Sequence, residues 1–420
     1  MTNNSVRALV LDANGQAGLA IVRSLGRQGI CVTAGSHVAP SIGGVSRYSD
    51  ATYRYPDPAK SAERFVDHLV EFLRTVDHYV VIPVQDGTST LLSRHKDRIE
   101  ATGTLVAVED WPTFERAFDK GTLFEIAASL DVPIPTTFAP TSITEVEEIA
   151  TQLTYPALVK PRSKTVRDAD GHCHRVLIDD DYYADSPAEL VDAYRRILAR
   201  YPVLEVERHY PLVQERVPGT TTTTVVVADR GEILTHFQEE RVRTVPASGG
   251  NSTLLRALTE PRMLEYAREV IAALDWTGPA MVEFMRTPDD EFYLIEVNGR
   301  YWGSVPFAIA SGVDIPWHHF QLLRGEPVAQ PDSYRVARLH HRLLYGDLKW
   351  LNEQLHRGHP TAVLHVLWAC LVAEQTFVST SDPVPTVWAL RQAVGLGADA
   401  LRRRLSRAEM GDPGGHPSIN

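Results

Sequence analysis

The sequence predicts a protein of mixed α/β and α+β class in three parts: an N-terminal open parallel-sheet domain over 1–108, an α+β domain over 109–327, and a small, mostly helical extension over 328–420. Three observations carry that reading. The apolar run Val6 to Asp12 gives way to a small-residue turn and then to helical spacing, the start of a parallel sheet. The segments Thr223–Val227, Ile233–Glu239, Ala280–Arg286 and Glu291–Asn298 alternate in character and are joined by turn formers, the mark of antiparallel hairpins. Beyond 328 most of the apolar residues fall at helical intervals.

Taken in order, Ala13 to Gly18 is a turn, Leu19 to Gln28 a helix and Ile30 to Ala34 a second strand. Gly15 and Gly18 match part of a dinucleotide fingerprint, but the full G-x-G-x-x-G and a ribose-binding acid are absent, so an NAD-dependent oxidoreductase rests on little. Ser36 to Tyr55 reads as a loop-rich stretch at the edge of the sheet where ligands bind, and Ser46-Arg47 and Asp86 could face a ligand there or simply form turns. Ala59 to Thr75 and Leu91 to Ile99 read as helices, and His78 to Val84 and Leu105 to Val108 as strands. Thr113 to Leu130 reads as one helix bearing Lys120, and Tyr155 to Pro161 as a strand ending in Lys160. The following loop, Arg162 to Gly171, has one glycine and three cations, Arg162, Lys164 and Arg167, suited to screening phosphates or an anionic co-substrate. Pro187 to Tyr201 is helical, and Leu212 to Glu215 a strand running into Arg216-Val217-Pro218-Gly219.

Arg241 and Arg243 share a strand face, and Ser248-Gly249-Gly250 precedes a helix expected to start at Ser252 or Thr253. Two guanidinium groups beside a helix N-terminus would bind an anion; a capped helix with surface arginines is the alternative. In the hairpin closed about Pro288 to Asp290, Glu283 falls opposite Ile295 or Glu296, and Asn298 shares the face of Glu296. Two carboxylates facing each other among Val282, Phe284, Leu294 and Val297 need a cation between them. An oxygen-only set of Glu283, Glu296 and Asn298 suits Mg²⁺, or Mn²⁺ in its place, and Arg300 suits a phosphate or carboxylate.

Glu283 followed by Glu296-Val297-Asn298-Gly299-Arg300-Tyr301-Trp302-Gly303-Ser304 resembles the magnesium-binding end of the ATP-grasp superfamily, particularly its carbamoyl-phosphate-synthase-like and carboxylate-amine ligase branches. The resemblance covers roughly residues 5 to 327, its pieces in the family's order, and implies an ATP-grasp fold of two α+β subdomains with a nucleotide-binding lid at about 150–217 behind an N-terminal preparatory domain. It implies that Lys120 and Lys160 lie along the ATP phosphates with Lys164 beside them. Gln214, Glu215, Arg216, Val217 and Gly219 would cradle adenine, largely through backbone groups. Arg241, Arg243, Ser248, Gly249, Gly250, Arg300, Gly303 and Ser304 would approach the substrates, and Arg300 and Lys160 would be catalytic.

The activity so implied is an ADP-forming carboxylate-amine ligase that makes an amide or peptide bond through an acyl phosphate, on amino-acid-like substrates, with ATP and Mg²⁺. A bicarbonate-activating carboxylase or carbamoyl-type enzyme is the nearest alternative, and the glycine-poor loop leaves open a non-catalytic ATP-binding scaffold. A net charge of −11 argues against nucleic acid or an anionic membrane as a partner. Three scattered cysteines and the lack of an N-terminal signal pattern or a spanning segment predict a cytoplasmic location. The C-terminal helices could cap the ligase domain or form a homodimer contact, and 409–420, rich in Gly and Pro, reads as disordered.

Overall fold

Strand Arg7–Val10 enters the core with Ala8, Leu9 and Val10 shielded from solvent, and pairs in parallel with Cys31–Ser36 on one side and Val80–Ile82 on the other. Ala51–Arg54 and Leu105–Val106 complete a five-stranded parallel sheet. In this computed structural model the described residues are 6–163, 165–168, 173–176, 182–246 and 250–393. Ala51–Arg54 is thus a strand inside the stretch expected to be a loop; Tyr53, packed on Phe72 at a 3.9 Å ring separation, holds it there. Gly18 begins the close packing of helix Gln16–Arg27 onto the first strand, because a Cβ there would stand 2.6 Å from the Asp12 carbonyl. Helix packing therefore accounts for Gly18 without a nucleotide.

The helix expected over 113–130 is two, Trp111–Phe118 and Lys120–Ser129. Asp119 leaves helical geometry and its carboxylate accepts from the Thr122 amide at 2.9 Å, so it caps the second helix and puts Lys120 at its first position. A four-stranded antiparallel sheet follows, in the order Tyr183–Ala184, Ala157–Lys160, Leu212–Glu215, Thr137–Phe138, with helices Ile143–Ala150 and Pro187–Arg200 packed on it.

The largest sheet has seven strands in the order Phe292–Asn298, Gly278–Arg286, Thr220–Asp229, Glu232–Val245, Asn251–Leu258, Leu339–His341, Glu374–Gln375. One face, with Val226, Ala228, Ala280, Val282 and Phe284, packs on helix Pro261–Leu274. The other, with Val225, Val227, Phe237, Leu255, Ala257 and Met281, joins the parallel sheet and helices Val305–Ser311 and Ile315–Leu323 in one core. Asn251–Leu258 is a strand where a helix was expected from Ser252: it pairs with Glu232–Val245 over a long antiparallel ladder.

Leu339–His341 adds a short strand and is followed by a wide turn, Leu343–Asp347. Helices Leu348–His356 and Ala362–Val372 come next, and the latter exposes Leu364, Leu367, Trp368 and Leu371 along one face. Asp382, fully buried, accepts from Arg23 Nε at 2.8 Å, Ser46 Oγ at 2.7 Å and the Arg47 amide at 3.0 Å. Ser46 and Arg47 are thus bound to the C-terminal region rather than turned towards a ligand. No helix among the described residues is long and apolar enough to cross a membrane. The expected tail 409–420 lies outside the described residues.

Candidate functional site

Glu283 and Glu296 are direct cross-strand partners, as the turn at Thr287–Asp290 requires. A bulge immediately after Glu283 brings Phe284 opposite Leu294, which is why counting back from the turn left Ile295 and Glu296 as alternatives. Asn298 completes the cluster: its Nδ2 donates to Glu283 Oε1 at 3.1 Å and to Glu296 Oε1 at 2.9 Å. The facing acids are neutralised by two cations from elsewhere in the chain. Lys120 Nζ lies 3.0 Å from Glu296 Oε2 and Arg241 Nη2 lies 2.7 Å from Glu283 Oε2. Lys120 is placed there by the break at Asp119, which points the first residue of the helix at the hairpin.

These residues fit a divalent cation. Both carboxylates present oxygens to one place, as a hard ion needs. Asn298 here turns its NH₂ towards the acids and its Oδ1 towards Arg300 Nη2, 3.2 Å away. To serve as the third oxygen ligand its amide must rotate, and Arg300 would then face a donor instead of an acceptor. Arg300 is also held by Asp86, from Nε at 2.6 Å and from Nη2 at 3.2 Å, and donates to the Tyr301 carbonyl at 2.7 Å. Burial pulls its guanidinium down, but the charge and hydrogen bonds of Asp86, with Glu296 and Glu283 close by, outweigh that and leave its pKa raised. Asp86, just after strand Val80–Ile82, therefore links the parallel sheet to the hairpin, and an anion reaching Arg300 would exchange with it.

Lys160 ends its strand within 3.4 Å of Gln214 Oε1, and Gln214 Nε2 donates to Thr137 Oγ1 at 2.8 Å, so the two expected nucleotide side chains are neighbours. Glu215 accepts from the Thr154 amide at 2.7 Å, and the Arg216 amide donates to the Pro156 carbonyl at 2.9 Å. The Arg216 N–H is thus engaged within the four-stranded sheet, and Val217 follows two residues beyond the strand Leu212–Glu215. Gly219 has a structural reason to be glycine: a Cβ would lie 2.1 Å from the Arg286 carbonyl. Lys164, Ser248 and Gly249 lie outside the described residues.

The proposed anion site at Arg241 and Arg243 does not form as expected. No helix starts at Ser252, and irregular pairing between Arg241 and Thr244 sends the two arginines to different partners. Arg243 pairs with the buried Asp347, which also accepts from Thr253 Oγ1 at 2.6 Å, and stacks 4.1 Å over the Trp350 ring. Arg241 stays beside the acids, its Nη1 donating to the Gly250 carbonyl at 3.3 Å. Gly303 is approached by Gln16, which donates to its carbonyl.

One residue of the site escaped the sequence. Glu239, on the strand Glu232–Val245, lies in register with Thr223, itself in register with Glu283 and then Glu296, so three acids and a threonine form one row across four strands. Ser304 Oγ donates to Glu239 Oε1, while Oε2, buried, has no hydrogen-bond partner. Burial pushes this carboxyl up to about 7; Ser304 and Arg241 pull the other way and Glu283 adds to the rise. Its signal was present: Phe237, Glu239 and Arg241 alternate on one face, an acid where a strand facing the core would carry an apolar residue.

A four-stranded antiparallel sheet ending in a lysine, together with a larger antiparallel sheet bearing paired acids, fits the two-subdomain ATP-grasp arrangement that the sequence resemblance implies. More narrowly, residues 207–342 match the family described as ATP-grasp in the biosynthetic pathway with Ter operon. The carbamoyl phosphate synthase large chain of Pyrococcus furiosus is 24% identical over 225 residues, 52% of this chain but 20% of that one, so the chain spans only a small part of this curated relative. Among solved structures, the biotin carboxylase domain of Hydrogenobacter thermophilus 2-oxoglutarate carboxylase, in complex with MgADP and bicarbonate, superposes with a TM-score of 0.61 at 18% identity, covering 79% of this chain and 73% of that one. The L-amino acid ligase of Bacillus licheniformis superposes with a TM-score of 0.55 at 16% identity, covering 81% and 79%. Likeness at these identities speaks for the fold.

Proposed function

We propose that the protein is an ATP-dependent, ADP-forming carboxylate-amine ligase that activates a carboxylate as its acyl phosphate and passes the acyl group to an amine, on amino-acid-like substrates. The observation that carries this reading is the convergence of Glu283, Glu296 and Asn298 with Lys120 at one point of the large sheet. Glu283, Glu296 and Asn298 would hold Mg²⁺, which when bound neutralises phosphate charge. Lys120 and Lys160 would lie along the phosphates, and Gln214 to Gly219 beside the adenine. Arg300, exchanging Asp86 for the ligand, would hold the acyl phosphate. Phosphoryl transfer asks for positioning and charge neutralisation more than for a covalent nucleophile, and this set of residues suits that demand.

The bicarbonate reading stays beside it, favoured by a structural neighbour whose complex contains bicarbonate. ADP release measured across carboxylate and amine pairs, with bicarbonate as a separate arm, decides between them: amine-dependent ADP release with an organic acid supports the ligase, and release with bicarbonate alone refutes it. Glu296→Gln should abolish ATP turnover in a protein that still folds; full turnover in that variant would remove the metal role.

A further inference from the structure

Ser304 occupies the N-cap position of helix Val305–Ser311, where a serine hydroxyl ordinarily accepts from a backbone amide of the first turn. Here it makes no such bond and gives its proton to Glu239. A hydroxyl has one proton and two lone pairs, so while Glu239 is ionised and engages that proton, a state that burial confines to pH above about 7, Ser304 can only accept. A phosphate or carboxylate oxygen brings no proton and finds nothing there, whereas an N–H group does. The carboxylate behind it adds to the selectivity. Glu239 is only 3% exposed, yet its Oε2 lacks a hydrogen-bond partner, and a buried acid left half satisfied favours the arrival of a positively charged or proton-donating group.

The position is also apt. Glu239 and Glu283 are separated in the row by Thr223 alone, two strand spacings or about 10 Å. A metal and phosphates held at Glu283 and Glu296 would therefore lie about two strand spacings from the Glu239–Ser304 pair. Arg241, two residues along the same strand from Glu239, is hydrogen-bonded to Glu283 and not to Glu239, so it leaves the carboxyl to Ser304.

We propose that Ser304, with its hydroxyl oriented by Glu239, is the docking point for the N–H groups of the amine substrate, a primary amine or its ammonium form. The inference rests on the ligase reading. Ser304 touches the substrate and Glu239 acts through it as a positioning residue.

The test uses the full chain with a carboxylate and amine found by the ADP-release screen, together with hydroxylamine trapping of the acyl phosphate in the wild type. Loss of one hydrogen bond to a charged donor in Ser304→Ala should raise the KM for the amine about ten- to a hundredfold. The KM values for ATP and for the carboxylate should move far less. Glu239→Gln should act in the same direction, because the new NH₂ competes to donate to the serine oxygen, and Ser304→Thr, which keeps the hydroxyl, should recover most of the amine affinity. Ser304→Ala removes a single atom, so it reports even if Glu239→Gln folds poorly. An amine KM in Ser304→Ala equal to that of the wild type, or one that rises only in step with the KM for ATP, overturns the inference while hydroxamate formed by the wild type upholds the ligase reading. A wild type that forms no hydroxamate with any carboxylate overturns both.

Discussion

Replacing Lys120 by Met removes the cation beside Glu296 and keeps the apolar stem. At 3.0 Å the two charges attract by about 5.5 kcal/mol at an effective dielectric of about 20. Much of that is offset by desolvation, since the side chains are only 8% and 13% exposed. Leaving one member of such a pair uncompensated costs about 3 kcal/mol. A divalent ion can restore the balance, because ligand at a hundred times its Kd returns about 2.7 kcal/mol. The variant should therefore melt below the wild type in EDTA and gain more from added Mg²⁺. Lys120 competes with a metal for Glu296, so its nucleotide-free affinity for Mg²⁺ should rise about tenfold or more, the equivalent of about 1.4 kcal/mol. ATP turnover should fall. Calorimetric titration with Mg²⁺ and melting curves with and without the ion read these effects. A variant whose melting temperature answers Mg²⁺ no more than the wild type's would refute the competition between lysine and metal.

Other expectations follow from single contacts. Gly299→Ala would drive a Cβ to 2.2 Å from Cη2 of the buried Trp276 and should destabilise the hairpin end by about 1–3 kcal/mol, read by thermal melting. Glu239 is raised from 4.5 to about 7, so the folded protein keeps a proton that the unfolded chain has lost. The stability it gives at low pH is lost between those values, by up to about 3 kcal/mol at pH 8, and Glu239→Gln should flatten the decline in denaturant midpoint over that range. Burial lowers His319 and His340 from 6.5 to about 3, so each supports the fold above pH 6.5 and loses that support as the pH falls. At pH 5 the cost is about 2 kcal/mol each, and an acid melting profile unchanged in His319→Gln or His340→Gln would contradict it.

The hairpin that carries the facing acids was legible from its turn residues and the side-chain period of two, although the bulge after Glu283 left its partner open between Ile295 and Glu296. The lysine-bearing strand and the parallel opening were legible because each is a short apolar run bounded by breakers. Other features were not local. Asp119 reads as one more helical residue until its carboxylate is seen capping Thr122. Asn251–Leu258 carries a short apolar cluster that helix and strand templates fit about equally, and only the ladder to Glu232–Val245 decides it. Arg243 was grouped with Arg241 by alternation, but pairing irregularities beyond Arg241 break that rule. Glu239 went unnoticed because its meaning depends on Thr223, Glu283 and Ser304, brought beside it from three other segments.

The buried carboxylate of Asp382 has a temporal implication. During synthesis the counter-ion for the nearly inaccessible Arg23 guanidinium is added 359 residues after Arg23 itself. Until then the opening parallel sheet must carry an unmatched charge at its flank, along with the Ser46 hydroxyl and the Arg47 amide that share the same acceptor. The parallel sheet therefore reaches its full set of partners only after Asp382 has been made.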